Sequence, residues 1–352
     1  MGGMRNIVHY RELSLVPNEH SAEIADISAV RVAIIIPCYK VREQISTVLA
    51  NVGDDVDDIY VVDDCCPEQT GDFVQSQNSD PRVRVIFHRE NEGVGGATLT
   101  GFRQAIADGA TILVKIDGDG QMDPLLLPIF INAIRHGEAD YAKGNRFYDP
   151  AGLAEMPRTR LLGNAALSFM AKLSTGYWNS FDPTNGYIAI HAEVARHLPF
   201  EKIAKRYFFE TDLLFRLNII QARVADVPMP ASYGSEKSNL RVIDIILPFI
   251  AGHTRNFFKR IFYNYFLRDF SIASLELIAG LALIAFGCFY GLANFRVIGG
   301  GASAGIVMLA GLPIILGMQL LLAFISYDIQ SIPHAALHPK LLGSRNAAPR
   351  RA

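Results

Sequence analysis

The sequence predicts an α/β fold, in which a mostly parallel sheet covered by helices is followed by a membrane-spanning hairpin. Short apolar runs alternate with amphipathic stretches between residues 31 and 235, and two long, almost uncharged apolar stretches come after them. Half of the 352 residues are hydrophobic. The mean hydropathy of +0.20 is high for a wholly soluble protein. Part of the chain is therefore expected to lie in a bilayer.

The sheet is predicted from five apolar runs with the length and composition of strands, at residues 32–39, 59–64, 83–88, 111–117 and 186–191. Amphipathic stretches predict helices near residues 42–52, 95–108, 124–136, 161–174 and 208–220. This alternation favours a parallel sheet that is covered on both faces. In such sheets, ligands bind at the carboxyl ends of the strands.

The membrane hairpin is predicted from residues 270–294, which carry a single charge at Glu276, and residues 297–326, which carry none. Each stretch reaches the roughly 20 apolar residues that a helix needs to cross a bilayer. Two buried helices of a soluble core are the alternative, but such helices rarely run so long without polar faces. Basic residues flank both outer ends of the hairpin, so both flanks are predicted to be cytoplasmic.

A helix just before the hairpin is predicted to lie in the membrane interface. Aromatic and aliphatic residues recur at helical spacing over residues 257–266, with basic residues between them. Packing of this helix on the globular domain is the alternative, and the sequence leaves both open.

The domain organisation predicted from these patterns has five parts. They are an N-terminal extension (1–30), an α/β domain (31–235), amphipathic juxtamembrane helices (236–269), the hairpin (270–327) and a basic tail (328–352).

Composition excludes some classes of partner. The net charge of −2 gives no global attraction to nucleic acid.

The four cysteines lack metal-ligand spacing, which favours a reducing, cytosolic setting. The first 20 residues lack the apolar core of a signal peptide, so the α/β domain is expected to stay where it is made.

Acidic residues cluster where the predicted strands end. Asp117 and Asp119 close the fourth strand, and Asp63 and Asp64 close the second. Buried carboxylates are costly unless solvent, an arginine or a cation compensates their charge. One acid after a strand is usually a turn or cap residue. Acidic residues at the ends of more than one predicted strand therefore predict a pocket.

The glycine-rich stretch at residues 91–102 is not a dinucleotide fingerprint, because Thr98 stands where the third glycine would fall. A glycine-rich helix start can bring backbone N–H groups close to a phosphate. It can equally serve close packing of the helix on the sheet.

The ordered motifs resemble those of GT-A glycosyltransferases of family 2, and within them the polyprenyl-phosphate (dolichol-phosphate-mannose-synthase-like) transferases. The motifs are VAIIIPCYKVRE, IYVVDDCC, NEGVGGA, KIDGDGQMDP, KGNRF and DPTNGYIAI. The resemblance implies a GT-A domain that transfers a sugar from a nucleoside-diphosphate sugar to a polyprenyl phosphate. It also implies inversion at the anomeric carbon and a requirement for Mg²⁺ or Mn²⁺.

The resemblance also assigns the donor side. Asp117 and Asp119 match the DxD pair that holds the cation, although Gly118 at its centre departs from the commoner pattern. Asp64 matches an acid that reads the base. The predicted nucleotide-sugar-binding residues are Pro37, Tyr39, Glu43, Asp64, Gly95, Lys115 and Gln121.

On the acceptor side, Arg146 matches an arginine that contacts the lipid phosphate, and Arg160 matches a second contact. Asn164 lies where the family often has serine. Asp182 matches an acid near the acceptor. Asp117, Asp119, Arg146 and Asp182 are therefore the predicted catalytic residues.

Glu210 and Asp212 have two readings that the sequence leaves open: they complete the acceptor side, or they interact with a helix dipole.

The predicted protein is an integral membrane enzyme with a cytoplasmic catalytic domain, whose partners are a UDP- or GDP-linked sugar, a polyprenyl phosphate and the bilayer. The small-residue stretch at 299–305 is of a type that mediates assembly between copies. Transfer to another membrane acceptor, and a membrane-tethered nucleotide-sugar binder without turnover, are the alternatives. A polymer synthase is disfavoured, because two spans cannot form a polymer channel.

Overall fold

Seven strands form one mixed sheet at the centre of the described chain. The computed structural model describes residues 30–148, 158–230, 242–295 and 303–347. The strands are β1 (Val32–Cys38), β2 (Asp58–Asp63), β3 (Val83–Phe87), β4 (Ile112–Lys115), β5 (Tyr141–Asn145), β6 (Ile188–His191) and β7 (Val224–Pro228). Their order across the sheet is β3-β2-β1-β4-β6-β5-β7. Only β6 is antiparallel to its neighbours, β4 and β5, so the predicted mostly parallel sheet is confirmed.

The first helices of the described chain cover the sheet, and the long apolar helices that follow extend beyond it. They are α1 (Ile45–Ala50), α2 (Thr70–Gln77), α3 (Val94–Ala107), α4 (Leu127–Arg135), α5 (Arg158–Thr175), α6 (Ala192–Arg196), α7 (Phe209–Ile219), α8 (Val242–Phe262), α9 (Ile272–Phe295), α10 (Ala304–Gln330) and α11 (His338–Ala347). Short 3₁₀ turns precede α4 and α7, at Pro124–Leu126 and Phe200–Lys202, and a π-helical segment, Tyr263–Arg268, follows α8. All five predicted helices are present.

The core lies where α3 packs on the central strands. Every residue of β1 is buried, as expected for an inner strand with a helix on each face. Gly101 of α3 allows the close approach, since a Cβ at this position would lie 2.5 Å from the side chain of Ile35. This packing fixes the carboxyl end of β1.

Helix α8 buries a polar face and exposes an apolar one. Asn256 and Arg260 are almost wholly buried against the α/β domain, while Leu247, Phe258 and Phe262 are exposed. The helix therefore packs on the domain, as one reading expected, and it exposes an apolar face; its location in the membrane interface stays a prediction.

Helices α9 and α10 are long and apolar enough to cross a membrane, since residues 272–294 and 304–330 contain 18-residue windows with mean hydropathies of 2.2 and 2.3. Small residues let them approach closely. A Cβ on Gly317 would lie 2.7 Å from the carbonyl oxygen of Gly280.

A buried carboxylate joins this hairpin to the α/β domain. Asp328, near the end of α10, accepts hydrogen bonds from Arg260 Nη1 at 2.5 Å, Tyr265 Oη at 2.6 Å and Trp178 Nε1 at 2.8 Å. One buried acid of α10 thus connects the hairpin to Trp178, to α8 and to the π-helical segment.

The segment after α10 returns to the sheet. Asp140, which is fully buried, accepts hydrogen bonds from Leu337 N and His338 Nδ1 at 2.7 and 2.8 Å. Burial opposes ionisation of Asp140, but these hydrogen bonds lower its pKa. The His338 ring also stacks on His191, with ring centroids 4.3 Å apart. Residues 337 and 338 of the predicted basic tail are therefore docked on the domain.

Some predictions fall outside the described residues. The N-terminal extension to residue 29 and residues 299–302 of the small-residue stretch are among them, as is the side chain of Arg160. The division into five parts stays a prediction.

Candidate active site

The topology brings the predicted site residues to one edge of the sheet. Strands β1, β2, β4 and β5 run in the same direction, so their carboxyl ends share that edge. Because β6 is antiparallel, the loop that precedes it arrives at the same place. A Cβ on Gly186 in this loop would lie 2.7 Å from Asp117 Oδ2. The loop that carries Asp182 therefore passes directly beside the DxD motif.

A cleft of about 360 Å³, called the first cleft below, opens at this edge. It is lined by Pro37, Cys38, Tyr39, Val41, Asp64, Asn91, Gly93, Val94, Ala97, Asp117, Gly118, Asp119, Arg206 and Tyr207. Five of the predicted donor-side and metal-binding residues are in this lining. Arg206 and Tyr207 are additional members that the sequence reasoning missed. They come from the loop before α7, far along the chain, and no local motif marks them.

Asp64 is engaged with the glycine-rich loop. Its carboxylate accepts hydrogen bonds from the backbone N–H groups of Glu92 and Gly93, at 2.9 and 2.8 Å, and contacts His88 Nδ1 at 2.8 Å. His88 Nε2 lies in turn 3.0 Å from Thr100 Oγ1. Asp64 therefore fixes the backbone of the loop that lines the cleft.

Gly95 does not line the first cleft. A Cβ there would lie 2.6 Å from the ring of Phe209 and 2.8 Å from the carbonyl oxygen of Ala204. Of the two readings of the glycine-rich stretch, close packing holds at this position. Gly93, with a φ of 88°, is the glycine of this stretch that lines the first cleft.

Glu43 and Gln121 also lie outside the lining of the first cleft. Glu43 borders a neighbouring depression with Lys40, Arg42, Gln44 and Glu68. Gln121 donates its backbone N–H to Asp119 Oδ1 at 3.0 Å, which shapes the turn after β4.

Lys115 lies behind the first cleft. Its side chain is 1% exposed, and Nζ is 2.7 Å from Asp117 Oδ1 and 3.6 Å from Glu210 Oε1. Burial raises the pKa of Glu210 to about 6 despite this lysine. Burial acts to lower the pKa of Lys115, but the two acids together raise it. Lys115 therefore contacts Asp117 from the buried side, and its side chain does not form part of the cleft surface.

The carboxylates of Asp117 and Asp119 suit a hard cation, because Mg²⁺ and Mn²⁺ prefer oxygen ligands. Within the described ranges there is no group of three or more His, Cys, Asp or Glu side chains that would enclose a metal. A site with one or two carboxylates, completed by substrate phosphates, is the usual arrangement for Mg²⁺. The residues present fit such a site.

Arg146 and Asp182 form a tight pair beside this site. Asp182 accepts hydrogen bonds from Arg146 Nε and Nη2, both at 2.7 Å, and from Asn185 Nδ2 at 3.0 Å. Burial opposes ionisation, but the bonds from Arg146 lower the pKa of Asp182. Asp182 also has a φ of 54°, in the left-handed region. The guanidinium is therefore oriented by an anchored carboxylate.

A second cleft, of about 340 Å³, lies between the end of β5 and α5. Its lining is largely apolar and contains Phe147, Tyr148, Leu161 and Phe181 together with the predicted residue Asn164. Arg160 lies in the first turn of the same helix. The lining of this cleft is therefore mainly apolar, with polar side chains that include Asn164.

Two residues that the sequence reasoning missed, buried Lys143 and partly buried Asp226, hold this region. Lys143 Nζ lies 3.2 Å from Asp226 Oδ1, and burial lowers the pKa of the lysine. Asp226 also accepts hydrogen bonds from Ser180 Oγ and Phe181 N, both at 2.8 Å. The pair anchors the loop that leads into Asp182.

Glu210 and Asp212 point to different surroundings. Glu210 faces Lys115, whereas Asp212 accepts hydrogen bonds from Ala204 N at 3.0 Å, Arg216 Nε at 3.1 Å and Asn256 Nδ2 at 2.9 Å. Asp212 thus joins α7 to α8, and neither acid lines the two clefts.

Comparisons with known proteins agree with this architecture. Residues 33–198 match the glycosyl transferase family 2 profile. The chain is 34% identical over 203 residues to an undecaprenyl-phosphate mannosyltransferase of Micrococcus luteus, which covers 56% of this chain and 82% of that protein. It is 30% identical over 230 residues to a UDP-N-acetylglucosamine–dolichyl-phosphate N-acetylglucosaminyltransferase of Methanococcus voltae, covering 61% and 91% of the two chains.

A solved structure supports the fold. The glucosyl-3-phosphoglycerate synthase of Mycobacterium tuberculosis, in complex with UDP, aligns with a TM-score of 0.51 at 20% identity. The alignment covers 65% of this chain and 80% of that one. The GT-A fold that the sequence predicted is confirmed by this likeness together with the profile match.

Proposed function

The chain belongs to glycosyl transferase family 2, and from that premise we propose that it transfers a sugar from a nucleoside-diphosphate sugar to a polyprenyl phosphate. The observation that carries the proposal is that two clefts open at the same edge of the sheet. An acid pair lines the first cleft, and the loop of Asp182, which orients Arg146, runs directly beside that pair.

The choice of acceptor is supported by the relatives and by the second cleft. The relatives from Micrococcus and Methanococcus are named for undecaprenyl-phosphate and dolichyl-phosphate acceptors. The second cleft combines an apolar lining with Asn164 and borders the strand that ends next to Arg146. A lipid phosphate needs an apolar wall for its tail and a cation for its head, and arginine's planar fork suits phosphate.

The proposed reaction is a direct displacement. An oxygen of the acceptor phosphate attacks the anomeric carbon, a new C–O bond forms, and the bond from that carbon to the nucleoside diphosphate breaks with inversion. The acceptor is already an anion at neutral pH, so it needs positioning more than a general base. Arg146 positions it, and Asp182 holds the guanidinium in place.

On the donor side, the glycine-rich loop fixed by Asp64 forms one wall of the first cleft, and Arg206 forms part of another. Asp119 and Asp117 would hold Mg²⁺ or Mn²⁺ beside the diphosphate. When bound, the cation supplies charge neutralisation for the departing diphosphate. Lys115 contacts Asp117 from the buried side and helps to hold its carboxylate in position.

We further propose that the catalytic domain works at the cytoplasmic membrane surface. Helices α9 and α10 would span the bilayer, and the basic residues that flank them favour a cytoplasmic location for both ends. The exposed apolar face of α8 would lie in the interface. This arrangement keeps the prenyl tail in lipid while only the phosphate enters the site.

The donor half of the proposal is tested with purified full-length protein in detergent and a panel of UDP- and GDP-linked sugars. Transfer to polyprenyl phosphate is expected from one donor, with Mg²⁺ or Mn²⁺ and not with EDTA. Release of nucleoside diphosphate without a lipid product would contradict the assignment of polyprenyl phosphate as the acceptor. Donor binding without any turnover would instead support a membrane-tethered binder.

The acceptor half is tested with Arg146→Ala, using Arg135→Ala on the exposed end of α4 as the matched control. The KM for polyprenyl phosphate is expected to rise in the Arg146 variant while the donor KM stays constant. Unchanged acceptor kinetics would contradict the role of Arg146.

A further inference from the structure

A third cleft, on the juxtamembrane side of the domain, is strongly basic. It has a volume of about 400 Å³ and lies between the 3₁₀ turn Phe200–Lys202, the last turns of α7 and α8. Its cations are Lys202, Arg216, Arg255 and Lys259, and no acidic side chain is in its lining. We call it the basic cleft. It shares no lining residue with the two clefts of the active site.

The charge of the basic cleft is only partly compensated. Buried Asp212 lies 3.1 Å from Arg216 Nε and 3.7 Å from Arg255 Nη2. Among the described residues, no carboxylate lies within 4.0 Å of the ammonium groups of Lys202 or Lys259. One carboxylate against four cations leaves an excess of positive charge that an anion would neutralise.

The floor and rim of the basic cleft are apolar. Phe215 and Ile219 of α7 and Phe262 of α8 contribute to it, and Phe262 continues into the exposed apolar face of α8. Helix α8 leads through the π-helical segment to α9, which begins at Ile272 and is long enough to cross a membrane. The cleft therefore opens close to the point where the chain is expected to enter the bilayer.

From this combination we propose that the basic cleft binds the headgroup of an anionic phospholipid, at a site separate from the sugar donor and the polyprenyl phosphate. Lysine and arginine bind phosphate oxygens, and juxtamembrane basic residues attract anionic headgroups. The apolar rim would contact the first acyl carbons. A bound lipid would hold α7 and α8 against the membrane surface. The inference rests on the membrane attachment and is independent of the sugar-transfer chemistry.

The test is native mass spectrometry of the full chain in non-ionic detergent, titrated with phosphatidylglycerol or with phosphatidylcholine of the same acyl chains. The variant is Lys202→Gln/Lys259→Gln. The charge-matched control is Arg135→Gln/Lys340→Gln, which removes two exposed cations outside the cleft. Each lysine near an anionic surface contributes about fivefold in affinity, so the variant, which lacks two lysines, is expected to bind phosphatidylglycerol about 25-fold more weakly.

The wild type and the control are expected to prefer phosphatidylglycerol, and raising the salt concentration is expected to weaken that preference. Equal retention of phosphatidylcholine, or an unchanged variant, would overturn the proposal. Binding of sn-glycerol 3-phosphate as tightly as the lipid would indicate a soluble phosphate ligand and also overturn it. A raised acceptor KM in the variant would assign the cleft to polyprenyl phosphate. Unchanged transfer kinetics with lost phosphatidylglycerol binding would support a separate site.

Discussion

The pair of Arg146 and Asp182 offers the sharpest test of how the acceptor phosphate is positioned. Asp182 holds the guanidinium with two charge-assisted hydrogen bonds of 2.7 Å. In Asp182→Asn the side chain keeps its size, but only one of its two terminal atoms remains an acceptor. The amide NH₂ group would then face a guanidinium nitrogen that is also a donor. The variant should therefore loosen Arg146 without opening a cavity.

The magnitude follows from the lost bond. A hydrogen bond between charged groups contributes about 1.5–3 kcal/mol. One third of the Arg146 side chain is exposed, so water replaces part of that interaction, and a loss of about 1.5 kcal/mol is the reasonable figure. This corresponds to about a tenfold fall in kcat/KM for the acceptor, since 1.4 kcal/mol is a factor of ten.

The assay varies polyprenyl phosphate at saturating donor and then varies the donor at saturating acceptor. The tenfold change is expected in the acceptor series and not in the KM of the donor. Asp80→Asn is the matched control, because Asp80 and Arg82 form a similar ion pair at 2.7 Å away from both clefts. Acceptor kinetics of Asp182→Asn equal to those of the control would refute the positioning role.

Three further perturbations test the site, the membrane junction and the pH dependence. Asp119→Asn should abolish transfer while circular dichroism stays unchanged, and substantial activity in the folded variant would remove the cation assignment. Asp328→Ala should lower stability by about 3–5 kcal/mol, because it leaves the charge of Arg260 buried without its partner; an unchanged thermal midpoint in detergent would contradict this. Burial lowers the pKa of His191 to about 4. Between pH 6.5 and 4, the unfolded chain therefore binds a proton at this histidine that the folded chain does not bind. The free energy of unfolding falls as the pH falls through this range, by up to about 3 kcal/mol. His191→Asn, which keeps an acceptor for the N–H of Glu193, should flatten that pH dependence of thermal unfolding, and an unaltered slope would exclude His191 as its source.

The sequence predicted those strands whose own residues are typical of a buried strand. β1, with the sequence VAIIIPC, is apolar throughout because helices cover both of its faces. β5 and β7 were missed because their sequences, YAKGN and VADVP, contain residues that are rare in buried strands. Lys143 and Asp226 on these strands compensate each other. That compensation exists only once the two strands are neighbours, so no local pattern reports it.

The candidate site residues that lie at the carboxyl ends of strands could be predicted from the sequence. Asp117 and Asp119 reach the cleft because they follow β4 directly, and the parallel direction of the central strands brings Asp64 to the same edge. The side chain of Lys115, the last residue of β4, points away from the cleft into the protein. Its role depends on Glu210 from a distant helix, which the spacing along the chain does not show.

The contributions of loops were the least predictable. Arg206 lines the first cleft because the loop before α7 packs on the glycine-rich loop, where Gly96 N donates to Lys205 O at 3.1 Å. This contact joins segments more than 100 residues apart. Gly95 is needed for that packing, so a glycine that resembles a ligand-binding residue is used for close approach of two segments.

The most direct test of the central claim is the identity of the product. The purified chain would be incubated with the active nucleotide sugar and either polyprenyl phosphate or the matching polyprenol, and the organic phase analysed by mass spectrometry and NMR. The account predicts polyprenyl phosphate carrying one sugar of inverted anomeric configuration, and no product from polyprenol. Transfer to polyprenol, or retention of configuration, would contradict it.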